Sequence, residues 1–334
     1  MRVVVAPQEF KGSLTAAEAA DAMAAGVQQA LPDAVIDRAP MSDGGAGLVD
    51  ALLAARGGER FATVVRDPLM RPVTAAWALL ADGTAAIEMA SASGLVLVEP
   101  SARDATIATT YGTGELIRAA LDHGARHLTV GVGGSATVDA GAGAMQALGA
   151  RLLDDAGHDL PPGGAALARL DRIDLSGRDP RLVEARILVA SDVTNPLYGA
   201  EGAAVVYGPQ KGASPEDVRV LDAALARFAH VVQRDVGLDL QRVPGSGAAG
   251  GLGAGLIVVA GAAITRGFDV VAEAVALERR IGEADLVITG EGQLDAQTPY
   301  GKTAAGVAAI ARRHGKPVAC VAGTVVTAET WCYL

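Results

Sequence analysis

The amino-acid sequence predicts an α/β protein of two lobes: a parallel-sheet βαβ lobe formed by both chain ends, and an α/β lobe inserted into it. Strand and helix patterns alternate at both ends of the chain, as in βαβ units. Between the ends, the pattern changes to short paired runs. The 334 residues also exceed the usual size of one domain. We therefore expect residues 1–60 and 282–334 in one lobe and residues 61–281 in the other.

The first sixty residues predict two strand–helix pairs. A strand covers Arg2–Ala6, and a helix follows from about residue 16 to residue 31. Thr15 fits the N-cap of this helix, and Glu18 completes a capping box. A second strand, Ala34–Ala39, leads into the next helix.

The middle of the chain begins with a predicted hairpin, because Asp82-Gly83 separates two strand-like runs. Further on, Pro in the first turn and an amphipathic pattern predict a helix from Pro215 to Gln233. The other elements predicted here are helices at 114–123 and 140–149, strands at Leu128 and Ile187, and a glycine loop at 245–251 that opens a helix. At the C-terminal end, strand 285–288, helix 304–313 and strand 317–322 return to the βαβ pattern.

Charge and cysteine content limit the classes of function. Lys and Arg number 28 against 38 Asp and Glu, a net charge of −10, and no Lys/Arg tract suggests nucleic-acid binding. Cys320 and Cys332 are too few for a disulfide framework or a zinc cluster. The N-terminus lacks a signal-peptide layout, and the longest apolar stretch is too short for a membrane span. We expect a cytoplasmic protein without membrane contact.

Three apolar runs end in loops that carry carboxylates, hydroxyls or glycines. Leu286–Ile288 leads to Glu291 and Asp295, Ile187–Ala190 leads to Asp192, and Leu128–Val132 leads to a glycine turn. In an open parallel sheet such loops meet over one crevice. Phosphoryl transfer needs Mg²⁺ and a carboxylate near the acceptor hydroxyl. We therefore predict ATP and Mg²⁺ here, with the three carboxylates as metal ligands or base; the alternative is that each is an ordinary turn or cap residue.

The glycine turn after Leu128–Val132 allows two interpretations. Residues 131–136 match the relaxed dinucleotide fingerprint, but the Asp139 carboxylate follows where a pyrophosphate would meet the helix. A nest of amides from Gly133, Gly134 and Ser135 for ATP phosphates or a substrate anion is the favoured interpretation.

Four further positions are candidate anion or hydroxyl contacts. Gly301-Lys302-Thr303 is not a P-loop, because Ala296 stands where the pattern needs glycine, yet Lys302 begins a predicted helix and could meet an anion. Lys11 and Ser13 could hold a carboxylate, with a plain surface lysine as the alternative. The remaining two are the Asp43-Gly44-Gly45 turn, for hydroxyls or metal, and Lys211, for phosphate.

Taken together, these residues closely resemble the bacterial glycerate kinase family of the glyoxylate and glucarate routes. The matching segments run in family order from residue 2 to about 323: Phe10–Leu14, Ser42–Gly45, Gly133–Thr137 with Asp139, Ser191–Leu197, Gly208–Gly212, and Gly290–Gly292 with Asp295 and Gln297.

The resemblance implies ATP-dependent phosphorylation of D-glycerate with Mg²⁺, commonly at the 2-hydroxyl, in a cleft between two α/β lobes. On this basis Lys11 and Ser13 would hold the glycerate carboxylate, and Asp192 would accept the hydroxyl proton or bind Mg²⁺. The other expected roles are metal or catalysis for Glu291 and Asp295, substrate contact for Asp43, Gly44, Gly45 and Lys302, and an ATP cradle from Gly133, Gly134, Ser135, Thr137, Asn195 and Lys211.

The chain departs from the family pattern at three places. Gln8-Glu9 replaces the usual Asp-Ser, and Val138 stands where relatives favour Asn. The tail Thr330–Leu334 lacks periodicity and is interpreted as a frameshift or truncation scar that leaves an exposed sheet edge. Two alternatives stay open: an NAD-dependent 2-hydroxy-acid dehydrogenase, and an inactive, truncated kinase-like binding protein. A homodimer is one candidate assembly.

Overall fold

The computed structural model describes residues 1–294 and 303–326, and the chain divides into two compact units. The first unit comprises Met1–Gly57 and Arg266–Leu334, and the second comprises Gly58–Thr265. The sequence placed the second boundary at 281/282 instead. The two helices between these points, α9 (Gly267–Ala274) and α10 (Leu277–Gly282), pack with helices of the first unit. Both are short, and the sequence analysis predicted neither of them.

The first unit is built on a parallel four-stranded sheet. Its strands are β1 (Arg2–Pro7), β2 (Val35–Arg38), β11 (Leu286–Leu294) and β12 (Val318–Val325), in the order β12-β11-β1-β2. Its helices are α1 (Ala16–Ala30), α2 (Leu48–Arg56), α9 (Gly267–Ala274), α10 (Leu277–Gly282) and α11 (Thr303–Arg313).

Local sequence signals explain much of this unit. The capping box predicted for α1 is present: the Thr15 hydroxyl accepts from the Glu18 amide, and the Glu18 carboxylate accepts from the Thr15 amide. Val3 and Val5 on β1 pack with Ala20 of α1 in the core. Within the described residues β12 pairs with β11 alone and exposes Val321 and Val325, as expected of an exposed edge. The tail Thr330–Leu334 lies outside the described residues.

The second unit is built on a mixed six-stranded sheet. Its strands are β3 (Gly58–Arg66), β4 (Pro72–Leu80), β5 (Thr84–Glu88), β6 (His127–Gly131), β9 (Arg186–Ala190) and β10 (Ala263–Thr265), in the order β10-β9-β6-β5-β4-β3. β3, β4 and β5 pair antiparallel, which confirms the hairpin predicted at Asp82-Gly83, and the other pairs are parallel. A separate pair, β7 (Arg151–Leu153) and β8 (Arg172–Asp174), is antiparallel.

Helices of the second unit cover this sheet with a core of mainly aliphatic side chains. The longest helix, α7, ends two residues later than predicted and starts at a capping box between Ser214 and Asp217. The helix predicted at 140–149 is shorter, because Leu148 already leaves the helix and Gly149 takes a left-handed φ of 93°. The helices are α3 (Ala90–Ser93), α4 (Tyr111–Asp122), α5 (Ala142–Ala147), α6 (Ala203–Tyr207), α7 (Pro215–Asp235) and α8 (Leu252–Ala260). Among residues 1–294 and 303–326, none of the helices combines the length and apolar character that a membrane crossing requires.

Candidate active site

In the first unit, two candidate segments start at the same edge of the sheet. β1 and β11 are parallel neighbours with Pro7 opposite Gly290, and the Gln8 amide donates to the Gly290 carbonyl oxygen (2.8 Å). The loop after β1 therefore runs beside the last residues of β11. This is the arrangement expected of strand ends in a parallel sheet.

Lys11 and Ser13 lie in a tight turn of that loop. The Ser13 amide donates to the Phe10 carbonyl oxygen (2.7 Å), and Gly12 takes a left-handed φ of 76°. Both candidate side chains are exposed. A Cβ at Gly292 would lie 3.1 Å from the backbone nitrogen of Lys11. A glycine at this position therefore lets the turn pack closely against β11.

The Asp43-Gly44-Gly45 turn follows β2. The Gly45 amide donates to Asp43 Oδ1 (3.1 Å), and the Gly44 amide donates to Ser42 Oγ (3.3 Å). A Cβ at Gly267 would lie 2.0 Å from the Asp43 carbonyl oxygen, so α9 starts against this turn only because its first residue is glycine. Asp43 is therefore half-buried in a fixed turn.

Glu9 joins Lys11 and Asp43 in one electrostatic cluster, which sequence analysis did not assign to the site. Burial and the nearby Asp43 carboxylate raise the pKa of Glu9, and the Lys11 ammonium lowers it. The available signal was Gln8-Glu9, the departure from the expected family pattern noted in the sequence. The cluster brings one ammonium close to two carboxylates.

Glu291 lies on β11 and is 6 % exposed. Burial, and then the Glu291 carboxylate, raise the pKa of the Cys320 thiol on neighbouring β12 to about 11. The thiol is therefore held in its protonated form at neutral pH. Two other predicted site residues, Asp295 and Lys302, lie outside the described residues.

In the second unit, β6 and β9 are parallel neighbours with Gly131 opposite Ala190. The glycine turn and the Asp192 loop therefore start side by side at one sheet edge. The half-buried Asp192 is the second residue after β9. The structure thus brings together two of the three strand ends that the sequence singled out.

The turn after β6 leaves three consecutive amides available to a ligand. Within residues 1–294 and 303–326, the amides of Gly133, Gly134 and Ser135 donate to no protein acceptor. Gly134 takes a left-handed φ of 73°, and its carbonyl oxygen accepts from the Leu95 amide (2.8 Å), which fixes the turn. Successive amides in such a turn form an anion-binding concavity. We call residues 133–135 the amide nest.

Lys211 lies beside the amide nest but is buried, with 2 % of its surface exposed. Its Nζ donates to Ser135 Oγ (2.7 Å) and to the Thr137 carbonyl oxygen (2.8 Å). Burial lowers the pKa of this ammonium to about 7, although the Asp139 carboxylate acts to raise it. Thr137 is also fully buried. Lys211 and Thr137 are therefore internal groups in this structure, whereas the sequence suggested phosphate contacts.

Asp139 is fully buried, and its carboxylate accepts from amides at the start of α5, the place where the sequence put it. Its Oδ2 accepts from the Thr110 amide (2.8 Å), the Thr110 hydroxyl (2.9 Å) and the Gly143 amide (3.2 Å), while Oδ1 accepts from the Gly141 amide (3.1 Å). Burial raises its pKa against these hydrogen bonds. This carboxylate ties α4 to α5.

Asn195 also has internal partners. Its Nδ2 donates to the Glu201 carbonyl oxygen (2.8 Å), and its Oδ1 accepts from the Tyr207 hydroxyl (2.9 Å). The Gly247 amide donates to the Asn195 carbonyl oxygen (3.0 Å). The Asn195 side chain therefore fixes the loop that carries Asp192.

The carboxylates suit Mg²⁺ by chemistry but do not form a closed metal cage. Among the residues that the structure describes, no group of three or more His, Cys, Asp or Glu is placed to hold a metal ion. Mg²⁺ usually takes one or two carboxylates and completes its shell with water and substrate phosphate. Asp192 in the second unit and Glu291 in the first are each carboxylates of this kind.

Comparisons with known proteins give a consistent result. The model of the glycerate kinase family matches residues 3–333. A glycerate kinase from Bacillus subtilis (strain 168) is 48 % identical over 97 % of this chain and 85 % of its own length. A glycerate 2-kinase from Escherichia coli (strain K12) is 47 % identical over 97 % and 86 %. Among solved structures, the crystal structure of "putative glycerate kinase 2" from Salmonella typhimurium LT2 superposes with a TM-score of 0.87 at 50 % identity, over 98 % of this chain and 88 % of that one.

Proposed function

Because the chain belongs to the glycerate kinase family, we propose that it transfers the γ-phosphoryl group of ATP to D-glycerate, at the 2-hydroxyl. Relatives named for this activity align along nearly the whole chain. The family match favours a kinase over an NAD-dependent 2-hydroxy-acid dehydrogenase. The structural observation that carries the proposal is the amide nest at Gly133–Ser135, whose amides have no protein acceptor among the described residues.

The amide nest would bind the phosphates of ATP. Three backbone donors are oriented by a fixed turn, so they lose little freedom when an anion binds. Phosphoryl transfer depends mainly on such positioning and on neutralising the charge of the transferred group. The overall charge of −10 works against anion binding, so local donors have to supply the attraction.

The first unit would bind D-glycerate. The exposed Lys11 ammonium and Ser13 hydroxyl suit the carboxylate of the substrate, and the Gly44 and Gly45 segment offers backbone close to it. Asp43 would accept a hydrogen bond from a substrate hydroxyl. Lys302 remains a predicted contact with an anionic group.

Asp192 is proposed to accept the proton of the attacking hydroxyl or to bind Mg²⁺. Glu291 stays a predicted metal ligand, and Asp295 stays a predicted catalytic carboxylate. Mg²⁺ would neutralise phosphate charge when bound. The residues of this chain would hold the acceptor and its proton. A carboxylate suits the proton-accepting role, because the kinase reaction requires a base that stays ionised at neutral pH.

We further propose a cytoplasmic location for the protein and a homodimer as its assembly. ATP as substrate and the free thiol of Cys320 fit a reducing cytoplasmic setting. A homodimer remains a prediction, which light scattering on the purified protein would test.

A coupled assay for ADP release tests the proposed function. D-glycerate and ATP with Mg²⁺ should give steady turnover, whereas NAD with 2-hydroxy acids should give no reduced cofactor. Asp192→Asn keeps the size of the side chain but removes the base and most of the metal affinity, so kcat should fall at least ~10³-fold.

Two outcomes of this assay would contradict the proposal. Absence of ADP release from a cooperatively folded wild-type protein would reject the kinase assignment and favour the inactive binding protein. Near-normal kcat in Asp192→Asn would remove Asp192 from the mechanism.

A further inference from the structure

Lys211 lies next to the amide nest but is buried, so direct contact with a ligand does not account for its position. It ends a 3₁₀ turn, Pro209–Lys211, and Gly212 follows with a left-handed φ of 93°. A Cβ at Gly212 would lie 2.5 Å from the Arg103 carbonyl oxygen. The backbone around Lys211 is therefore fixed, and this directs the lysine into the interior.

Inside the protein, the Lys211 ammonium holds two points of the segment that follows the amide nest. One acceptor is the side chain of Ser135, the last residue of the nest, and the other is the Thr137 carbonyl oxygen. The Nζ–Oγ distance of 2.7 Å and the second bond of 2.8 Å fix the position of this segment.

The Asp139 side chain anchors the other end of the same segment. The Asp139 carboxylate is two residues beyond Thr137, is fully buried, and accepts from amides and a hydroxyl at the starts of α4 and α5. It also interacts electrostatically with Lys211. The segment from Ser135 to Asp139 is thus held by the hydrogen bonds of a buried lysine and a buried aspartate. Buried polar groups are stable only when they are hydrogen-bonded in this way.

We propose that Lys211 is the positioning residue of the nucleotide site: from beneath the turn it fixes Ser135 and Thr137, so that the amide nest keeps its shape for the phosphate tail of a nucleoside di- or triphosphate. Lys211 does not itself contact the phosphates. This inference rests on the proposed function for the identity of the ligand. It assigns the lysine a different role from that of Lys11, which is exposed.

The test measures nucleotide binding separately from catalysis. Lys211→Met keeps the chain length and removes the ammonium; Lys316→Met is the matched control, a lysine of the first unit outside the proposed site. Isothermal titration with ADP should give a Kd at least tenfold weaker for Lys211→Met and unchanged for Lys316→Met. The KM for ATP should rise in parallel, while the KM for D-glycerate stays within twofold.

Ser135→Ala provides a second, milder variant in case Lys211→Met does not fold. It removes one acceptor of the lysine and should weaken ADP binding about threefold to tenfold, with circular dichroism and melting temperature close to those of the wild type. An ADP Kd within twofold of the wild type in folded Lys211→Met, or in Ser135→Ala if the first variant is unfolded, overturns the inference. Equal rises in both KM values would indicate general loss of structure and also overturn it.

The inference and the proposed function fail in different ways. Wild-type protein that binds ADP but does not phosphorylate D-glycerate rejects the proposed function, and the variants still decide the role of Lys211. Wild-type protein that binds no ADP rejects the inference itself.

Discussion

At Lys211, burial and charge act against each other. Removing the ammonium from water lowers its pKa from 10.5 to about 7, and the Asp139 carboxylate offsets only part of this. Between pH 7 and 10.5 the unfolded chain therefore binds a proton here that the folded protein has largely released. Because the unfolded state then binds more protons, the Lys211 contribution to the free energy of unfolding rises with pH, by at most ~1.4 kcal/mol per pH unit.

The lowered pKa of Lys211 predicts how the thermal stability of the protein depends on pH. Between pH 7 and pH 9 the melting temperature of the wild type should rise relative to that of Lys211→Met, because the variant lacks the titrating group. Calorimetry on both proteins in matched buffers measures the difference, in which the contributions of groups not coupled to Lys211 cancel. Parallel pH dependence in the two proteins would contradict a buried lysine with a lowered pKa.

Burial also explains which site residues sequence reasoning could assign. The exposed turn carrying Lys11 and Ser13 follows from its position after a strand and before a capped helix. By contrast, Lys211 and Asn195 have the residue types of ligand contacts, yet their partners are internal. Nothing in a local pattern distinguishes these cases, because burial depends on packing between segments distant along the chain. Glu9 was missed for the same reason, since its neighbour Asp43 comes from another loop.

At the scale of elements, capping signals were the most informative. The start of α7 is fixed by the Ser214 hydroxyl, which accepts from the Asp217 amide (3.2 Å), while Asp217 Oδ2 accepts from the Ser214 amide (2.9 Å). Pro215 in the first turn adds a backbone angle that suits a helix start. Helix ends marked by glycine were harder to predict, because several glycines stand near each boundary.

Ser214→Ala should destabilise α7. Loss of the cap leaves the Asp217 amide without its side-chain acceptor, and the melting temperature should fall by about 2–4 °C. Ser214→Thr keeps the hydroxyl and is the control. A variant pair with the same melting temperature would show that the first turn of α7 does not depend on this cap.

At the scale of the whole molecule, alternation of strands and helices was enough to predict two parallel βαβ regions at the chain ends, an antiparallel hairpin and a mixed α/β class. It did not predict where the chain leaves the second unit and rejoins the first, which is at Arg266. The small helices α9 and α10 pack through glycine contacts such as Gly267 against Asp43. Such close approaches follow from tertiary structure and have no periodic signature.

We propose that this chain phosphorylates D-glycerate at the 2-hydroxyl with ATP. Phosphorus NMR of a complete reaction of D-glycerate, ATP and Mg²⁺ identifies the product, because the coupling of phosphorus to carbon-bound hydrogen distinguishes the two hydroxyls. We expect a phosphorus resonance split into a doublet by the single hydrogen on C2, together with ADP. A triplet from the two hydrogens on C3, or no new phosphate ester at all, would contradict it.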